Sequence, residues 1–290
     1  MRSAVLVDCD PALLTWGLDL DDDLALLFLL GSPEVDVVAV TTAYGNTASA
    51  LCHRDARRLL ALAGRADIPV HRGAGWLSRN FHPTDASRAI VEAARKFSGE
   101  LTILALAPPT NVAAALAEEP RLGAHVKELV LMGGRTTDGR RQFNFSAHPS
   151  ASRAALGLGC RTVKLTQELC ASVAVTSDDA RRFDVPGSLV ARFVPRLARF
   201  ARLQAFYRAR RGCEAGDARG GFHPWDVVAA AWLVAPDLFG DVRELRATVD
   251  DRGKVRLGTS GSPVLAPHSL DARRFLELFV ARVTAVSAPA

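Results

Sequence analysis

The sequence predicts an α/β protein with an open, mainly parallel twisted sheet flanked by helices and a Rossmann-like core. Short apolar, β-branched segments alternate along the chain with longer segments of helical periodicity, and this alternation is typical of parallel βαβ units. A cluster of aspartates follows the first short segment, at the position where open α/β sheets bind ligands. No internal repeat or low-complexity tract interrupts the 290 residues, so we expect residues 1–290 to form a single domain.

The individual elements are predicted from the apolar period and from the residues that end each segment. The predicted strands are Ala4–Val7, Val35–Thr42, Ile68–His71, Leu101–Leu106, Lys127–Met132 and Thr162–Leu165. The predicted helices are Leu24–Leu30, Ala48–Leu62, Thr84–Phe97, Asn111–Glu118 and Asp226–Val234. Gly45-Asn46 ends the second strand, Pro108-Pro109 the fourth and Gly133-Gly134 the fifth, because these residue types favour turns. The Gly-rich stretch 212–224 precedes the last of these helices, and its composition is equally typical of a mobile flap over a site and of an ordinary surface loop.

The net charge, the apolar runs and the cysteine pattern restrict the predicted binding partners and the predicted cellular compartment. The net charge is +5, but most arginines are scattered and no aromatic residues interleave with the densest cluster, Arg208–Arg211, so we predict no nucleic-acid partner. No apolar run approaches the ~20 residues that span a bilayer, which predicts no membrane partner. Asp8 and Asp10 interrupt any secretory leader. The five cysteines form no CxxC pair, which is typical of reduced thiols, so we predict a cytoplasmic protein.

The N-terminal aspartates predict a metal or catalytic site. Six of them fall within the first 23 residues: Asp8, Asp10, Asp19, Asp21, Asp22 and Asp23. Like charges at this density need a cation or bound protons, and oxygen ligands suit Ca²⁺ or Mg²⁺. Helix capping, the alternative, accounts for Asp21 or Asp22 in a first helical turn. It does not account for Asp8 and Asp10, which end the preceding strand.

Two segments at the N-terminus resemble a family signature. Asp8-Cys-Asp10-Pro11 and Asp19-Leu-Asp21-Asp22 are similar to the opening of the inosine–uridine-type nucleoside hydrolases, and the chain is identified as a divergent member. Further similar segments follow in order: Thr41–Asn46, Ala61–Gly75, Ala107–Ala113, Leu129–Gly134, Gln142–Phe145 and His223–Asp226. The resemblance covers at least residues 4–240 and implies a nucleoside-hydrolase-like fold.

The resemblance implies an N-ribosyl hydrolase of nucleoside catabolism and of purine or pyrimidine salvage. Such an enzyme hydrolyses the N-glycosidic bond of a ribonucleoside, giving free base and ribose, by a Ca²⁺-activated water. By this resemblance Asp10, Asp22, Asp226 and the backbone carbonyl of Leu131 hold Ca²⁺, and Asp10 is the base for the water. The implied partners are a small-molecule nucleoside and further copies of the chain, in a homodimer or homotetramer.

The implied substrate contacts are likewise carried over from matching positions. Asp21 and Asn46 are expected to bind the ribose 2′-hydroxyl, and Asn144 the 3′-hydroxyl. Asn46 in a Gly-Asn pair is equally well a turn residue. Asn111 reads as a helix-start residue rather than a ligand contact.

This chain departs from the family pattern in four places, one of which is the stretch Trp76–Pro83, where the family usually has a longer loop with a His-Gly motif. Trp225 occupies the usual position of a histidine that protonates the leaving base, and it either stacks on a base or packs on the following helix. His223, His82 and Tyr207 are the substitute candidates. Gln142 replaces an acid expected at the 5′-hydroxyl, and it predicts tolerance of a 5′ substituent. About seven extra residues, 12–18, separate the two N-terminal motifs.

Two other functions remain open from the sequence. A Mg²⁺-dependent phosphatase of the haloacid-dehalogenase type also places Asp-x-Asp after its first strand, but Thr15 stands too far along and lysines are nearly absent. A nucleoside- or ribose-binding protein that keeps the metal site without turnover is favoured by Trp225 and Gln142. Stacking by Trp225 favours purine bases modestly over pyrimidines.

Overall fold

The fold is built around a nine-stranded sheet. We describe it from a computed structural model, which covers residues 2–15, 19–75, 81–137, 140–211 and 221–288, and the side chains of these except 207–211. The strands are β1 (Ser3–Cys9), β2 (Val35–Thr42), β3 (Val70–Arg72), β4 (Leu101–Ala105), β5 (Val126–Met132), β6 (Arg161–Leu165), β7 (Phe239–Gly240), β8 (Arg243–Val249), β9 (Val255–Gly258), β10 (Ser262–Ala266) and β11 (Ser269–Leu270). The helices are α1 (Asp21–Leu30), α2 (Ser49–Leu62), α3 (Asp85–Lys96), α4 (Thr110–Glu118), α5 (Phe143–Ala147), α6 (Pro149–Leu156), α7 (Gln167–Cys170), α8 (Val194–Arg211), α9 (Trp225–Val234) and α10 (Ala272–Thr284).

The sheet is mixed and mostly parallel, which confirms the predicted fold class. Its strand order is β3-β2-β1-β4-β5-β6-β10-β8-β9. The strands from β3 to β10 in this order pair in parallel, whereas β8 and β9 continue the sheet antiparallel. These C-terminal strands were not predicted from the sequence. A separate antiparallel pair joins β7 to β11.

Helices cover both faces of the sheet, so the central strands are buried on both sides. In β1, Val5 and Val7 pack in the apolar core shared with α1, α9 and α10, while Leu6 packs in the core shared with α3, α4 and α6. This explains why β1 reads as a continuous apolar run rather than as an alternating one. Helix α1 is buried along nearly its whole length, as expected for a helix that is apolar on every side.

Most of the predicted elements lie where the sequence analysis placed them. The strand Val35–Thr42 has the predicted bounds, and β3 begins later than predicted because Pro69 has no N–H to donate to a ladder. Helix α3 begins after Thr84, whose side chain and that of Ser87 form a capping box. Helices α8 and α10 were not predicted. Among the described helices, none combines the length and the apolar character needed to cross a bilayer.

The strand order places a binding crevice next to β1. From β1 the chain proceeds through β2 and β3 toward one edge, and then returns to β4 on the other side of β1. The loops that follow β1 and β4 therefore diverge, and they leave a crevice outside the carboxyl ends of these strands.

Candidate active site

A cavity of about 380 Å³ opens at this crevice. Its wall comes from residues that follow β1, β2, β4 and β5, and from the first turns of α1, α5, α7 and α9. The lining residues are Asp10, Asp19, Asp21, Asp22, Gly45, Asn46, Leu106, Met132, Arg141, Gln142, Phe143, Asn144, Gln167, Trp225 and Asp226. Eight of the predicted site residues are among them: Asp10, Asp21, Asp22, Asn46, Gln142, Asn144, Trp225 and Asp226.

Three buried carboxylates form the floor of the cavity. One oxygen from each of Asp21, Asp22 and Asp226 lies within 4.8 Å of the others. Asp21 and Asp22 begin α1, Asp226 lies in the first turn of α9, and the Asp226 backbone N–H donates to Asp21 Oδ2 at 3.3 Å. Two helix N-termini thus converge on the same point, where their dipoles favour negative charge.

Burial and mutual repulsion dominate the electrostatics of this cluster. Burial, then the charges of Asp19 and Asp22, raise the pKa of Asp21 well above its ordinary value. Burial likewise raises the pKa of Asp226, with the charges of Asp21 and Asp22 as the next causes. The pKa of Asp22 rises to about 7, chiefly through burial. Without a cation, the protein therefore holds these groups in ionised form only at a cost.

The donor set fits a hard divalent cation. The three grouped side chains supply carboxylate oxygens and no sulfur or nitrogen, which is the ligand chemistry of Ca²⁺ and Mg²⁺. Within the described part of the chain, no lysine or arginine forms an ion pair with Asp21, Asp22 or Asp226. The buried negative charge is thus left for a bound cation to neutralise, so this carboxylate group has the properties of a metal site.

Asp10 joins the group from the end of β1. Its backbone N–H donates to Asp22 Oδ1 at 2.9 Å, and its Oδ2 accepts from the backbone N–H of Asn46. The Asn46 side-chain Nδ2 donates to Asp22 Oδ2 at 3.0 Å and to the Asp10 carbonyl at 3.2 Å. Gly45 makes this approach possible, because a Cβ there would stand 2.0 Å from Asp10 Oδ2.

Asp8 lies beneath Asp10, outside the cavity lining, and is held by two side chains. Its Oδ1 accepts from Thr41 Oγ1 and from Asn111 Nδ2, both at 2.7 Å. Asn111 is fully buried within α4 and is not the residue that caps it; its Oδ1 accepts from the Ala74 N–H at 3.0 Å. The interpretation of Asn111 as a helix-start residue therefore missed its tertiary role, since no local pattern indicates a bond across 103 positions.

The opposite wall consists of amides. Asn144 Nδ2 donates to the carbonyl of Leu106. Gln142 caps α5: its Oε1 accepts from the N–H of Gly134 at 2.9 Å and from that of Phe145 at 3.3 Å. Both Gly133 and Gly134 have positive φ, so the turn after β5 takes a backbone conformation that favours glycine.

Of the residues predicted to contact or protonate the leaving base, only Trp225 lies in the cavity lining among the described side chains. Trp225 lines the cavity and also packs against the core, so both of its predicted roles have a structural basis. His223 is buried and donates from Nδ1 to the Val173 carbonyl at 2.5 Å; it does not line the cavity. His82 is exposed and also lies outside the lining, and the side chain of Tyr207 falls outside the described residues.

Two further predictions concern backbone positions. Leu131 is buried in β5 and does not itself line the cavity, although its neighbour Met132 does. Residues 12–15, the described part of the seven-residue segment 12–18, are held in place by Asp23. Its Oδ2 accepts from the N–H groups of Ala12 and Leu13 at 2.9 and 2.8 Å. Residues 16–18 of that segment lie outside the described residues, as does Cys213.

Some lining residues were not identified from the sequence. Arg141 and Phe143 flank Gln142, and Gln167 begins α7. Only their position beside Gln142 marks Arg141 and Phe143, and nothing local marks Gln167, because a single arginine, phenylalanine or glutamine carries no distinctive local pattern.

Comparison with known proteins assigns the chain to a family. The model of the inosine-uridine preferring nucleoside hydrolases matches residues 5–277. The probable uridine nucleosidase 2 of Arabidopsis thaliana is 30% identical over 210 residues, which are 61% of this chain and 63% of that protein. The pyrimidine-specific ribonucleoside hydrolase RihA of Salmonella newport (strain SL254) is 29% identical over 287 residues, covering 89% of this chain and 88% of that protein.

Solved structures show the same fold. A purine-preferring ribonucleoside hydrolase from Gardnerella vaginalis superposes with a TM-score of 0.82 at 20% identity, and the alignment covers 98% of each chain. A plant nucleoside hydrolase superposes with a TM-score of 0.79 at 24% identity, over 98% of this chain and 99% of that one. Together with the buried carboxylate group, the extent of the family match confirms the resemblance seen in the sequence: the chain is an enzyme of the inosine-uridine preferring nucleoside hydrolase family.

Proposed function

We propose that this enzyme hydrolyses the N-glycosidic bond of ribonucleosides to free base and ribose, with Ca²⁺ as its metal. The observation that carries the proposal is the buried group of Asp21, Asp22 and Asp226 at the crevice of the sheet. The proposed Ca²⁺ ligands are the side chains of Asp10, Asp22 and Asp226 and the backbone carbonyl of Leu131. The Ca²⁺ ion, when bound, supplies a Lewis acid that lowers the pKa of a water molecule.

Asp10 is the proposed base for the attacking water. Its Oδ2 is occupied by the Asn46 N–H, and no donor among the described residues contacts its Oδ1. This second oxygen is therefore the atom that takes a proton. The surrounding carboxylates also favour the positive charge that develops on the ribosyl ring in the transition state.

The two asparagines are the proposed contacts of the ribose hydroxyls. Each uses its Nδ2 for an internal hydrogen bond, Asn46 to Asp22 and Asn144 to Leu106. Each therefore presents its Oδ1 to the cavity as an acceptor. Hydroxyl groups donate to such oxygens, which supports a 2′-hydroxyl at Asn46 with Asp21, and a 3′-hydroxyl at Asn144.

A second candidate function is nucleoside or ribose binding without turnover. No histidine stands among the described residues that line the cavity, and His223 donates to a backbone carbonyl instead. The leaving base thus lacks an imidazole donor there. The phosphatase hypothesis is set aside, because the family match spans residues 5–277.

The decisive test is release of reducing sugar from inosine, adenosine, uridine and cytidine by the purified protein. We expect release that stops on chelation and returns with Ca²⁺, and the best substrate then identifies the base. Trp225 supports a modest preference for purines. If calorimetry shows binding of calcium and ribose but no product forms, the hydrolase proposal is wrong and the binding function takes its place.

The remaining proposals concern the whole chain. We propose a single domain, supported by the nine-stranded sheet that runs from the N-terminal to the C-terminal strands. We also propose a cytoplasmic homodimer or homotetramer. Light scattering on the purified protein measures the oligomeric state.

A further inference from the structure

Among the described residues, four amide side chains line the cavity, Asn46, Gln142, Asn144 and Gln167, and the first three do not face it in the same way. Asn46 and Asn144 donate to protein acceptors through Nδ2 and present Oδ1 to the cavity. Gln142 has the reverse arrangement, because its oxygen is the atom bound to the protein.

The orientation of the Gln142 amide is fixed by its partners. Oε1 accepts from the N–H groups of Gly134 and Phe145, and backbone N–H groups can only donate. A Cβ on Gly133 would lie 2.5 Å from this oxygen, so the oxygen sits tightly against the turn after β5. The Nε2 group has no hydrogen-bond partner among the described residues and belongs to a cavity-lining side chain. Gln142 therefore offers the cavity two N–H donors and no acceptor.

Arg141 adds a positive charge to the same wall. Its side chain lines the cavity and is exposed, and no carboxylate among the described residues pairs with it. The cavity is consequently polarised, with carboxylates on its floor and a guanidinium beside a donor-only amide on the facing wall. A guanidinium and an amide N–H₂ are complementary to an anionic oxygen group.

We propose that the cavity accepts ribonucleosides that carry a phosphate monoester on the ribose, with Gln142 and Arg141 as the residues that select the phosphate. This inference rests on the proposed function, which turns the ribose diol toward Asn46 and Asn144 and leaves the 5′ position for the Gln142 wall. A 5′-phosphate has acceptor oxygens only, so it matches Nε2 and the guanidinium. A 5′-hydroxyl can accept from Nε2, but neither the Gln142 amide nor the Arg141 guanidinium offers an acceptor for its own proton.

The reaction is the same hydrolysis with a different product. The bond between C1′ and the base nitrogen breaks, its electron pair stays on the base, and a new C1′–O bond forms to water. One water proton ends on the base and the phosphate ester remains intact. The products are free base and ribose 5-phosphate.

The test compares inosine with inosine 5′-monophosphate and uridine with uridine 5′-monophosphate, in the presence of Ca²⁺. Mass spectrometry identifies ribose 5-phosphate directly, which separates this reaction from removal of the phosphate by a contaminant. We expect kcat/KM for the better monophosphate to equal or exceed that of its nucleoside.

Gln142→Glu is the diagnostic variant. A glutamate keeps one oxygen for the Gly134 and Phe145 N–H groups, so the α5 cap is preserved, and it turns a second, charged oxygen toward the cavity. The ratio of kcat/KM for monophosphate over nucleoside should fall at least about tenfold through like-charge repulsion. Arg141→Gln should lower the ratio about two- to fivefold, since its charge is exposed. Arg58→Gln, an exposed arginine on α2, is the matched control and should leave the ratio unchanged.

The outcomes separate this inference from the proposed function. Hydrolysis of the nucleosides alone, or a ratio well below one that Gln142→Glu does not change, overturns the phosphate selection and leaves the nucleoside hydrolase intact. Hydrolysis of neither class in the presence of Ca²⁺ overturns the proposed function and this inference with it. Release of ribose 5-phosphate that falls in both variants supports it.

Discussion

Asp226 is the residue that joins the two halves of the carboxylate group. It follows Asp22 by more than 200 positions, yet it shares one floor with Asp21 and Asp22. Burial and the two neighbouring charges raise its pKa. In the metal-free protein the Asp226 carboxylate therefore lowers the free energy of unfolding, although the same side chain belongs to the active site. Such a conflict between stability and activity is common at active sites.

Asp226→Asn should therefore stabilise the metal-free protein while removing its response to metal. Loss of one buried charge is expected to raise the free energy of unfolding by about 0.5–2 kcal/mol, measured by urea denaturation in chelator. Added Ca²⁺ should then shift the midpoint of the wild type but not that of the variant. Asp36→Asn, at an exposed position of β2, is the control. A metal-free Asp226→Asn protein that is less stable than the wild type would contradict this account of the cluster.

Gly45 leaves the space that the proposed base, Asp10, occupies. A Cβ at this position would lie 2.0 Å from Asp10 Oδ2 and 3.2 Å from Asp10 Cβ, so Gly45→Ala must displace the proposed base. Displacements of about 1 Å can cost a hundredfold in rate, and we expect kcat/KM to fall by about that factor. Gly258→Ala on β9, where the added Cβ meets nothing within 4 Å, should keep wild-type kinetics. Equal activity of the two variants would rule out the steric argument.

At the scale of elements, a buried lysine connects β6 to the turn that carries the amide wall. Lys164 is fully buried, donates from Nζ to the carbonyls of Gly133 and Leu165, and lies 4.4 Å from the centre of the Phe145 ring. No carboxylate among the described residues forms an ion pair with it. Burial lowers its pKa from 10.5 to about 7.

This lysine predicts a pH-dependent stability. Below about pH 7 both the folded and the unfolded chains are protonated at Lys164, and the cost of burying the charge is complete. Between about 7 and 10.5 the unfolded chain binds the additional proton, so stability rises with pH. The free energy of unfolding of the wild type, relative to Lys164→Met, should increase by up to about 1.4 kcal/mol per pH unit in this window.

Urea denaturation between pH 6 and 9 measures this difference. Lys127→Met, an exposed position on β5, provides the matched control, and its difference from the wild type should not change across the same range. A Lys164→Met difference that stays flat between pH 7 and 9 would show that the buried lysine keeps its proton throughout.

At the scale of the whole molecule, the site joins the two ends of the sequence. The Asp226 N–H reaches Asp21 across 205 positions, and α1 and α9 pack together in one core. A cation held by both helices binds the folded chain and not the unfolded one. Metal binding is therefore linked to global stability.

We expect Ca²⁺ at about a hundred times its Kd to raise the free energy of unfolding by about 2.7 kcal/mol. Thermal unfolding with increasing Ca²⁺, followed by circular dichroism, measures this rise and gives the Kd from its concentration dependence. Mg²⁺ at equal concentration tests the choice of ion. A midpoint insensitive to both ions would contradict a metal site that spans α1 and α9.

The parallel half of the sheet was predictable from the sequence because its strands are buried on both faces. Val35–Thr42 and Leu101–Ala105 are short apolar runs between helices of clear period, and this pattern depends on local sequence alone. The strands β8 and β9 were missed because they are partly exposed and rich in charged residues. Strand β8 pairs with β10 and β9 pairs with β8, and these pairings are determined only by the tertiary structure.

The aspartate-rich ends of β1 and α1 were determined by the sequence itself, since dense like charge between a strand and a helix needs a cation or protons wherever the chain folds. The tertiary structure decided which carboxylates meet, because only the packing of α9 against α1 brings Asp226 to Asp21 and Asp22. It also decided that Asn111 supports Asp8 and that Gln142 turns its oxygen away from the cavity. Hydrogen-bond direction depends on partners from distant segments, and residue type alone does not specify them.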